Sequence, residues 1–435
     1  MVVDRASAAD IPGPRGGLFA RHLKAYEADP AGYLTGCSQR YGDVFRFDTD
    51  VVVVNDPELI HQVLVRTNRD SVPNANPLRG RRFPTERETQ RWMLARQRAL
   101  SVLQPTALPR RLALVKQMMA EDLRALAGHW FDPAEEAWRI SVRAMLPLYA
   151  PCPSPQLQDA YLDAFLQISP TTSVGRVPSW WPSRLRHRVE AADQRLRDQI
   201  TLMLQDDSPR PDGDQPTTLL QILRDDPDPV PADIAHAAVG MSALGAIGTM
   251  GGSWCWLLYH LAAHPQARER IRGEAAASDP DILCATPEQV LPYTRSFVQE
   301  VLRVHPPAWL LGRDTITDIR LGQARLPAGT AVMFSPYLLH HDPRWWKHPN
   351  RFDPGRWSTS HRPHAPHAYL PFSMGPRGCL GTQLGLSILL LAAAHLAAEY
   401  DLEVPDLHQV GASHGPVLLP TGMSCRLVHR PPRST

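Results

Sequence analysis

The chain has 435 residues, with 46 lysines and arginines against 44 aspartates and glutamates and a formal net charge of +2. This near balance gives no electrostatic case for nucleic acid as a partner, because nucleic-acid-binding surfaces carry a basic excess. The six cysteines lie far apart and form no C-x-x-C pair. Neither a zinc site nor a disulfide framework is therefore indicated, and a reducing interior fits.

The N-terminal part of the chain predicts a small sheet. Met1 to Pro14 contains no apolar run, so we expect neither a signal peptide nor a membrane anchor. The segments 43–48 and 51–55 predict two short strands, and Asp56, which precedes a proline, predicts a helix start. No Gly/Ser linker or repeat divides the chain, so we expect one domain over residues 1–435, with 1–14 as a flexible segment.

The rest of the sequence favours helices, which gives a mainly α fold class, an α+β domain with small β-sheets. Trp92 and Arg96 are spaced i, i+4 on one predicted helix, a pattern that an amphipathic surface helix explains equally well. Ile234 to Ala267 contains no charged residue and predicts a helix over 231–264, about 50 Å long. A transmembrane span is one interpretation, but glycines and polar residues dilute its hydrophobicity, so a core helix is favoured.

Two later helices carry charged or reactive residues. Glu300 and Arg303 share one face of a helix predicted from Pro292 to Val304; on a surface such a pair contributes about 0.3–0.5 kcal/mol at most. Cys379 comes just before a buried helix predicted from Thr382 to Glu399. Unpaired N–H groups at that helix start favour a thiolate, which suits a metal ligand. The alternative is a structural cysteine in a Gly-rich turn.

The residues around this cysteine form the pattern F-x-x-G-x-R-x-C-x-G, made by Phe372, Gly375, Arg377, Cys379 and Gly381. It resembles the haem-binding loop of the cytochrome P450 monooxygenases, in which cysteine thiolate holds the iron. The resemblance implies haem b (iron protoporphyrin IX) as the cofactor and Cys379 as its metal ligand. Glycines let the backbone come close to the sulfur, and Phe372 would shield the sulfur from water.

The resemblance also assigns roles outside the loop. Haem propionates would be neutralised by Arg96, on the helix of Trp92, by Arg313 and by Arg377. A buried triad that supports the proximal haem face would consist of Glu300, Arg303 and Arg356. Any of the first three arginines could instead be a plain surface residue.

The family's oxygen-binding groove falls on the segment 245–249, which gives Thr249 a catalytic role. Most members carry an acid before this threonine, whereas this chain has Gly248 there, so the usual carboxylate for proton relay is missing. Protons could arrive through ordered water or from a substrate hydroxyl, or the reaction could differ from hydroxylation. A simpler alternative is that Gly248 makes room for a bulky substrate.

The resemblance further implies an apolar substrate pocket, with its rim at the loops around 74–85 and 168–184 and at residues Met241, Gly245, Ala246, Trp309, Leu310, Leu311 and Met423. The tryptophans, which are Trp309 and, in the second loop, Trp180 and Trp181, could instead pack as core. A hydrophobic small molecule, such as a terpenoid or a fatty-acid-like compound of specialised metabolism, is the expected substrate, with dioxygen as co-substrate.

No flavin or nicotinamide fingerprint is present, so we expect electrons from a separate ferredoxin and ferredoxin reductase. The expected protein is a cytoplasmic, soluble bacterial monomer. Gly248 motivates an alternative in which the same scaffold performs oxidative coupling, ring formation or peroxide-driven chemistry. A third possibility is a haem sensor or carrier without catalysis.

Overall fold

The computed structural model describes residues 11–14, 21–73, 85–103, 108–150, 154–168, 184–205, 218–225, 231–358 and 362–431. Within these ranges the α-helices are α1 (Arg21–Ala28), α2 (Pro30–Tyr41), α3 (Pro57–Val65), α4 (Glu86–Val102), α5 (Leu108–Leu126), α6 (Pro133–Tyr149), α7 (Pro155–Ile168), α8 (Arg184–Leu204), α9 (Leu219–Arg224), α10 (Ala232–His236), α11 (Ser242–Ala263), α12 (Pro265–Ala277), α13 (Pro280–Ala285), α14 (Pro287–Val290), α15 (Pro292–Val304), α16 (Pro336–His341) and α17 (Thr382–Glu399).

The strands in the described ranges are short and fall into small sheets. They are β1 (Val44–Asp48), β2 (Val51–Val54), β3 (Ser71–Pro73), β4 (Trp130–Phe131), β5 (Leu311–Thr315), β6 (Ile319–Leu321), β7 (Ala324–Leu326), β8 (Ala331–Phe334), β9 (Tyr400–Glu403), β10 (Gly411–His414), β11 (Leu418–Thr421) and β12 (Cys425–His429). The largest sheet has the order β1-β2-β8-β5-β3, in which β2 and β8 run parallel and the other pairs antiparallel. The mainly α, α+β class is confirmed.

The predicted start of the small sheet is confirmed in detail. β1 and β2 pair as a hairpin, with Val44 opposite Val54. The carboxylate of Asp56 accepts the Leu59 amide at 2.9 Å, which caps α3 because the first amides of a helix have no partner inside it. This cap fixes the start of α3. The helix ends next to residues 372–381, which are called the cysteine loop below.

Two apolar helices form the centre of the molecule. α11 packs against α6, α15 and α17, and α17 also packs against α5 and α12. The stretches Asp233–Ala263 and Thr382–Glu399 are long and apolar enough to cross a membrane by composition alone. However, 56% and 67% of their most apolar windows lie buried against the rest of the protein. This burial is what the core-helix interpretation predicts, because a core helix is apolar all round.

The long apolar segment does not form the single uninterrupted helix that was predicted over 231–264. A π-helical turn at Ala237–Met241 separates α10 from α11. The hydroxyl of Tyr161, on α7, donates to the Val239 carbonyl inside that turn at 3.2 Å. A local π-turn leaves backbone groups open to such outside partners, and it often marks a functional segment of a helix. The donor comes from another helix, so no local pattern in the sequence could reveal the turn.

A buried histidine pair joins the ends of α11 and α15. His260 Nε2 lies 3.0 Å from His305 Nδ1, and the Trp256 indole stacks on the His305 ring at a centroid distance of 3.5 Å. Burial lowers the pKa of both histidines well below 6.5, and neighbouring positive and imidazole groups lower it further. Both rings are therefore neutral in the folded protein.

This pair predicts a loss of stability in mild acid. Because the folded-state pKa values lie below the unfolded value of about 6.5, the unfolded chain binds more protons as the pH falls. The contribution is complete above about pH 6.5 and declines as the pH falls toward the folded values. We expect the urea midpoint to drop between pH 7.5 and 5, and His305→Gln to reduce that dependence. An unchanged dependence in the variant would contradict the assignment.

Candidate functional site

The cysteine loop is built by a close approach of backbone to backbone. Gly375 has φ +74°, and a Cβ at this position would lie 2.3 Å from the Leu64 carbonyl oxygen of α3. Only glycine accepts both the left-handed conformation and the contact. A 3₁₀ turn follows at Gly375–Arg377, and the Cys379 amide then donates to the Phe372 carbonyl at 2.8 Å. The loop is thus seated directly on the end of α3.

The Cys379 sulfur lies at the start of α17, as predicted. The residue is exposed, yet protein surrounds it closely enough that burial raises its pKa above the ordinary value. Hydrogen bonds from the Gly381 amide and the Thr382 hydroxyl, and the charge of Arg96, act in the opposite direction. The groups at the helix start thus lower the pKa of the thiol, as predicted, but without a bound metal they do not offset the effect of burial. A cation bound to the sulfur would favour the thiolate further.

Phe372 is half-buried beside this sulfur. Its ring reaches within 3.8 Å of the position that a Cβ on Gly385 would occupy, in the first turn of α17. Gly381 is the N-cap residue of α17, and its built Cβ lies 3.9 Å from the Cys379 sulfur. The sulfur therefore lies against the backbone that starts α17, and the Phe372 ring packs on the first turn of the same helix.

Three arginines from separate elements meet near the loop. Arg96 of α4 donates to the Gly378 carbonyl, Arg313 of β5 donates to Thr67 Oγ1 at 3.1 Å, and Arg377 donates to Asn68 Oδ1 at 2.8 Å. Sequence reasoning missed Thr67 and Asn68. Asn68 has φ +75°, and an asparagine just past a helix end is typical of this left-handed conformation, which was the one available signal.

The arginine charges oppose one another. The pKa of Arg377 is lowered to about 10 by burial first, and then by the charges of Arg96 and Arg313. Burial likewise lowers the pKa of Arg313 to about 10. A ligand with two negative charges, lying between these groups, would relieve the repulsion and offset the burial of the cations. The donor set near the sulfur is therefore suited to a dianionic ligand that also carries a metal.

A cavity of about 1080 Å³ adjoins this region. Its walls come from the end of α3, from α4 and from the cysteine loop, including Asn68, Arg69, Met93, Arg96, Pro376 and Leu380. Trp92 belongs to α4, but its side chain lies outside the described residues, so the structure places only its backbone.

The members of the triad, Glu300, Arg303 and Arg356, lie together as the resemblance implies, and this triad is called the brace below. Arg303 Nε and Nη2 donate to the two Glu300 carboxylate oxygens at 2.9 Å each, and Arg356 Nε donates to Glu300 Oε1 at 3.0 Å. The Trp357 indole and the Asp353 amide also donate to this carboxylate, each at 2.9 Å. The side chains of Glu300 and Arg303 are fully buried. Trp357 is a member that sequence reasoning did not assign.

His340 connects this brace to the cysteine loop. Its Nδ1 donates to the Arg303 carbonyl at 2.9 Å, and its Nε2 accepts the Leu370 amide at 2.9 Å. Both ring nitrogens are therefore used, and the ring is neutral because burial lowers its pKa well below 6.5. Leu370 lies two residues before Phe372, so α15 fixes the segment that enters the loop. No sequence pattern indicated this histidine.

The predicted oxygen-binding groove lies on α11. The Thr249 hydroxyl donates to the Gly245 carbonyl at 2.8 Å. Apart from the neighbouring backbone of α11, no atom of the described residues lies within 4 Å of a Cβ built on Gly245. At Gly248 the opposite holds: a built Cβ lies 2.6 Å from Phe165 Cε2 and 3.4 Å from Val417 Cγ2.

Phe165 therefore takes the space where an acid side chain would stand. Its ring lies on the Trp138 indole at a centroid distance of 4.4 Å, and the residue is 9% exposed. A carboxylate on this face of α11 would enter an apolar, filled site without a partner. The alternative that Gly248 makes room for a bulky substrate is corrected, because the protein's own Phe165 occupies that room.

The other predicted pocket residues are placed unevenly. Gly245 is exposed, whereas Ala246, Leu310 and Leu311 are half-buried. Trp309 and Met423 are each 3% exposed, and the Trp309 indole donates to the Gly415 carbonyl at 2.6 Å. Burial of Trp309 favours the alternative that it packs as core. The Met241 side chain and most of the rim segments 74–85 and 168–184 lie outside the described residues.

Sequence comparison finds related proteins. A curated relative, cyclooctatin synthase of Streptomyces melanosporofaciens, is 28% identical over 376 residues, which cover 79% of each chain. Thromboxane-A synthase of Sus scrofa is 36% identical over 152 residues, 34% of this chain and 28% of that protein, so this match spans less than a third of its length.

The fold is shared with solved structures. The retinoic-acid-bound cyanobacterial CYP120A1 superposes with a TM-score of 0.78 at 20% identity, covering 97% of this chain and 100% of that one. The family model described as Cytochrome P450 matches residues 11–423. The chain belongs to the cytochrome P450 family, whose members are haem-thiolate monooxygenases.

Proposed function

We propose that this chain oxidises a hydrophobic small molecule of specialised metabolism, terpenoid or fatty-acid-like, by hydroxylation or a related reaction. The observation that carries the proposal is the exposed residue Cys379 at the start of α17. It lies beside three arginines whose positive charges repel one another. Cyclooctatin synthase, which aligns over most of this chain, is named for the metabolite that it produces, and this supports a biosynthetic role.

The residues near the loop fit the family's cofactor. Cys379 would ligate the haem iron, and Arg96, Arg313 and Arg377 would hold the propionates, because a dianion relieves the mutual repulsion of these cations. Bound haem supplies the one-electron and dioxygen chemistry that amino-acid side chains lack. Phe372 would exclude water from the sulfur, and the brace of Glu300, Arg303 and Arg356 would keep the loop in place through His340.

On the distal side, Thr249 would hold a proton at its Oγ1. The hydroxyl already donates to Gly245 O, and at Gly245 no other element among the described residues comes within 4 Å of a built Cβ. Because residue 248 is glycine, it has no side chain to pass a proton to Thr249, and Phe165 fills the adjacent space. Of the routes considered, ordered water or a hydroxyl of the substrate then remains for proton delivery.

Thr249→Val is expected to lower product formation about 10²-fold, a typical contribution of a positioned proton donor. Thr249→Ser keeps the hydroxyl and should stay within about tenfold of the wild type. Product formed per NADPH consumed is the measurement. Equal product yields from the valine and serine variants would contradict a role for the hydroxyl.

We further infer a single domain over residues 1–435, a cytoplasmic monomer, and electron supply by a separate ferredoxin and ferredoxin reductase. The single domain is supported by contacts such as those of Arg303, which donates to carbonyls of His340, Pro349 and Arg351 far along the chain. The separate electron supply rests on the lack of a flavin or nicotinamide fingerprint in the sequence.

A second candidate is oxidative coupling, ring formation or peroxide-driven chemistry on the same scaffold. The close contact of Gly248 with Phe165 favours it, because the chain has no acid at the usual relay position. Turnover of terpenoid and fatty-acid panels with ferredoxin, reductase and ¹⁸O₂ separates the candidates. Labelled oxygen in the product supports the monooxygenase. Unlabelled coupled or cyclised product, or turnover with hydrogen peroxide alone, supports the second candidate.

A further inference from the structure

A cluster of three ligating side chains lies on the surface next to α3. Glu58 Oε1 is 3.9 Å from His61 Nδ1, and Glu58 Oε2 is 3.7 Å from His367 Nε2. The ligand atoms of all three residues lie within 4.8 Å of one another. The two imidazole rings stack at a centroid distance of 3.7 Å.

These separations are too long for hydrogen bonds, which require about 2.7–3.2 Å between heavy atoms. They are close to the spacing in a tetrahedral zinc site, where ligand bonds of about 2.0–2.1 Å put neighbouring ligand atoms about 3.3–3.5 Å apart. The side chains of His61 and His367 are 30% and 32% exposed, and that of Glu58 is 61% exposed. The two imidazole rings are nearly parallel, with an interplanar angle of 16°, so binding of one ion by both requires rotation of these part-exposed side chains.

The backbone holds the three residues in this arrangement. Glu58 and His61 are spaced i, i+3 in the first turns of α3, which the Asp56 cap fixes. His367 has φ +60°, a left-handed conformation that is unfavourable for a residue with a side chain. The turn persists because Ala368, the next residue, is fully buried.

We propose that Glu58, His61 and His367 bind a divalent transition-metal ion of the zinc type, with water as the remaining ligand. Two imidazoles and one carboxylate form a ligand set that zinc accepts, whereas magnesium and calcium prefer oxygen ligands alone. The charge of Arg362 faces His367 and opposes a cation, while the Glu58 carboxylate favours one.

The ion would join two segments that both support the cysteine loop. Ile60 and Leu64 of α3 lie in one buried cluster with Ala368 and Leu370, from the segment that leads into the loop. The Leu64 carbonyl is also the atom that a Cβ on Gly375 would contact. A metal bound across this junction stabilises the folded protein, because it has no preformed site in the unfolded chain.

The test is titration calorimetry of untagged, haem-loaded protein, washed with chelator, with zinc chloride. We expect one zinc ion per chain at these residues, weakened at least tenfold by His61→Ala, by His367→Ala and by Glu58→Gln. His187→Ala is the matched control, because His187 and Glu190 form the same i, i+3 pair on α8 at 3.9 Å. The described residues offer that pair no third ligand.

Thermal denaturation of the same samples tests the junction. Zinc should raise the midpoint of the wild type and of His187→Ala, and leave the midpoint of His367→Ala unchanged. Absence of binding, or equal binding by the wild type and the three ligand variants, overturns the site. Binding without any rise in the midpoint overturns the joining of the two segments.

Discussion

Glu300→Gln is expected to destabilise the folded protein by about 3–5 kcal/mol, because it leaves buried positive charge without its counterion. The carboxylate accepts hydrogen bonds from Arg303, Arg356, Trp357 and the Asp353 amide, and it is fully buried. The amide that replaces it has one acceptor oxygen, and it points N–H groups at guanidinium donors. The loss is measured as a lower urea midpoint in far-ultraviolet circular dichroism.

Glu403→Gln is the matched control. Glu403 pairs with Arg426 at 2.6 Å, but the two side chains are 44% and 37% exposed. An exposed pair contributes about 0–1 kcal/mol, so the control should change the midpoint little. If Glu300→Gln is no more destabilising than Glu403→Gln, then the brace does not hold the fold as described.

Gly248→Asp is expected to destabilise the protein and not to restore a proton relay. The new Cβ would meet the Phe165 ring at 2.6 Å, and overpacking of this kind costs about 1–3 kcal/mol. Burial of a carboxylate without a partner adds to that cost. We therefore expect a lower thermal midpoint and lower product yield. The double variant Gly248→Asp/Phe165→Ala should lose less stability than the sum of the two single variants, because the clash is absent in it.

Gly273→Ala is the control for helix propensity. Gly273 lies in α12, and outside the helix's own backbone no described residue comes within 4 Å of a built Cβ, so alanine there should stabilise by up to about 1 kcal/mol. Gly248→Ala, with the same intrinsic gain, should be less stable than Gly273→Ala. If the two alanine variants are equally stable, then Phe165 does not fill the space beside Gly248.

Local patterns in the sequence were sufficient for several elements. The bounds predicted for α15 and α17 are confirmed, because a proline starts one, the cysteine turn starts the other, and apolar residues mark their lengths. The hairpin of β1 and β2 is confirmed for similar reasons. Contacts between distant residues were not accessible in this way. The π-turn bonded by Tyr161 and the His340 bridge depend on partners from other elements.

The candidate site was likewise predictable where it depends on local spacing, and not where it depends on contacts between distant elements. Glu300 and Arg303 share a helix face, so their pairing follows from spacing, whereas the role of Arg356 required a resemblance. The sequence alone shows that residue 248 is a glycine and not an acid. That Phe165 occupies the vacated space is a property of how α7 packs on α11, and it changes the meaning of the glycine. The thiol pKa also needed the structure, because burial outweighs the helix start at Cys379.

The absorption spectrum of the reduced, carbon-monoxide-bound protein tests the central claim most directly, because thiolate and imidazole ligation give distinct Soret positions. We predict the thiolate position for the wild type and its loss in Cys379→Ser. A protein that stays colourless after addition of hemin, or a Cys379→Ser spectrum identical to that of the wild type, would contradict iron ligation by Cys379.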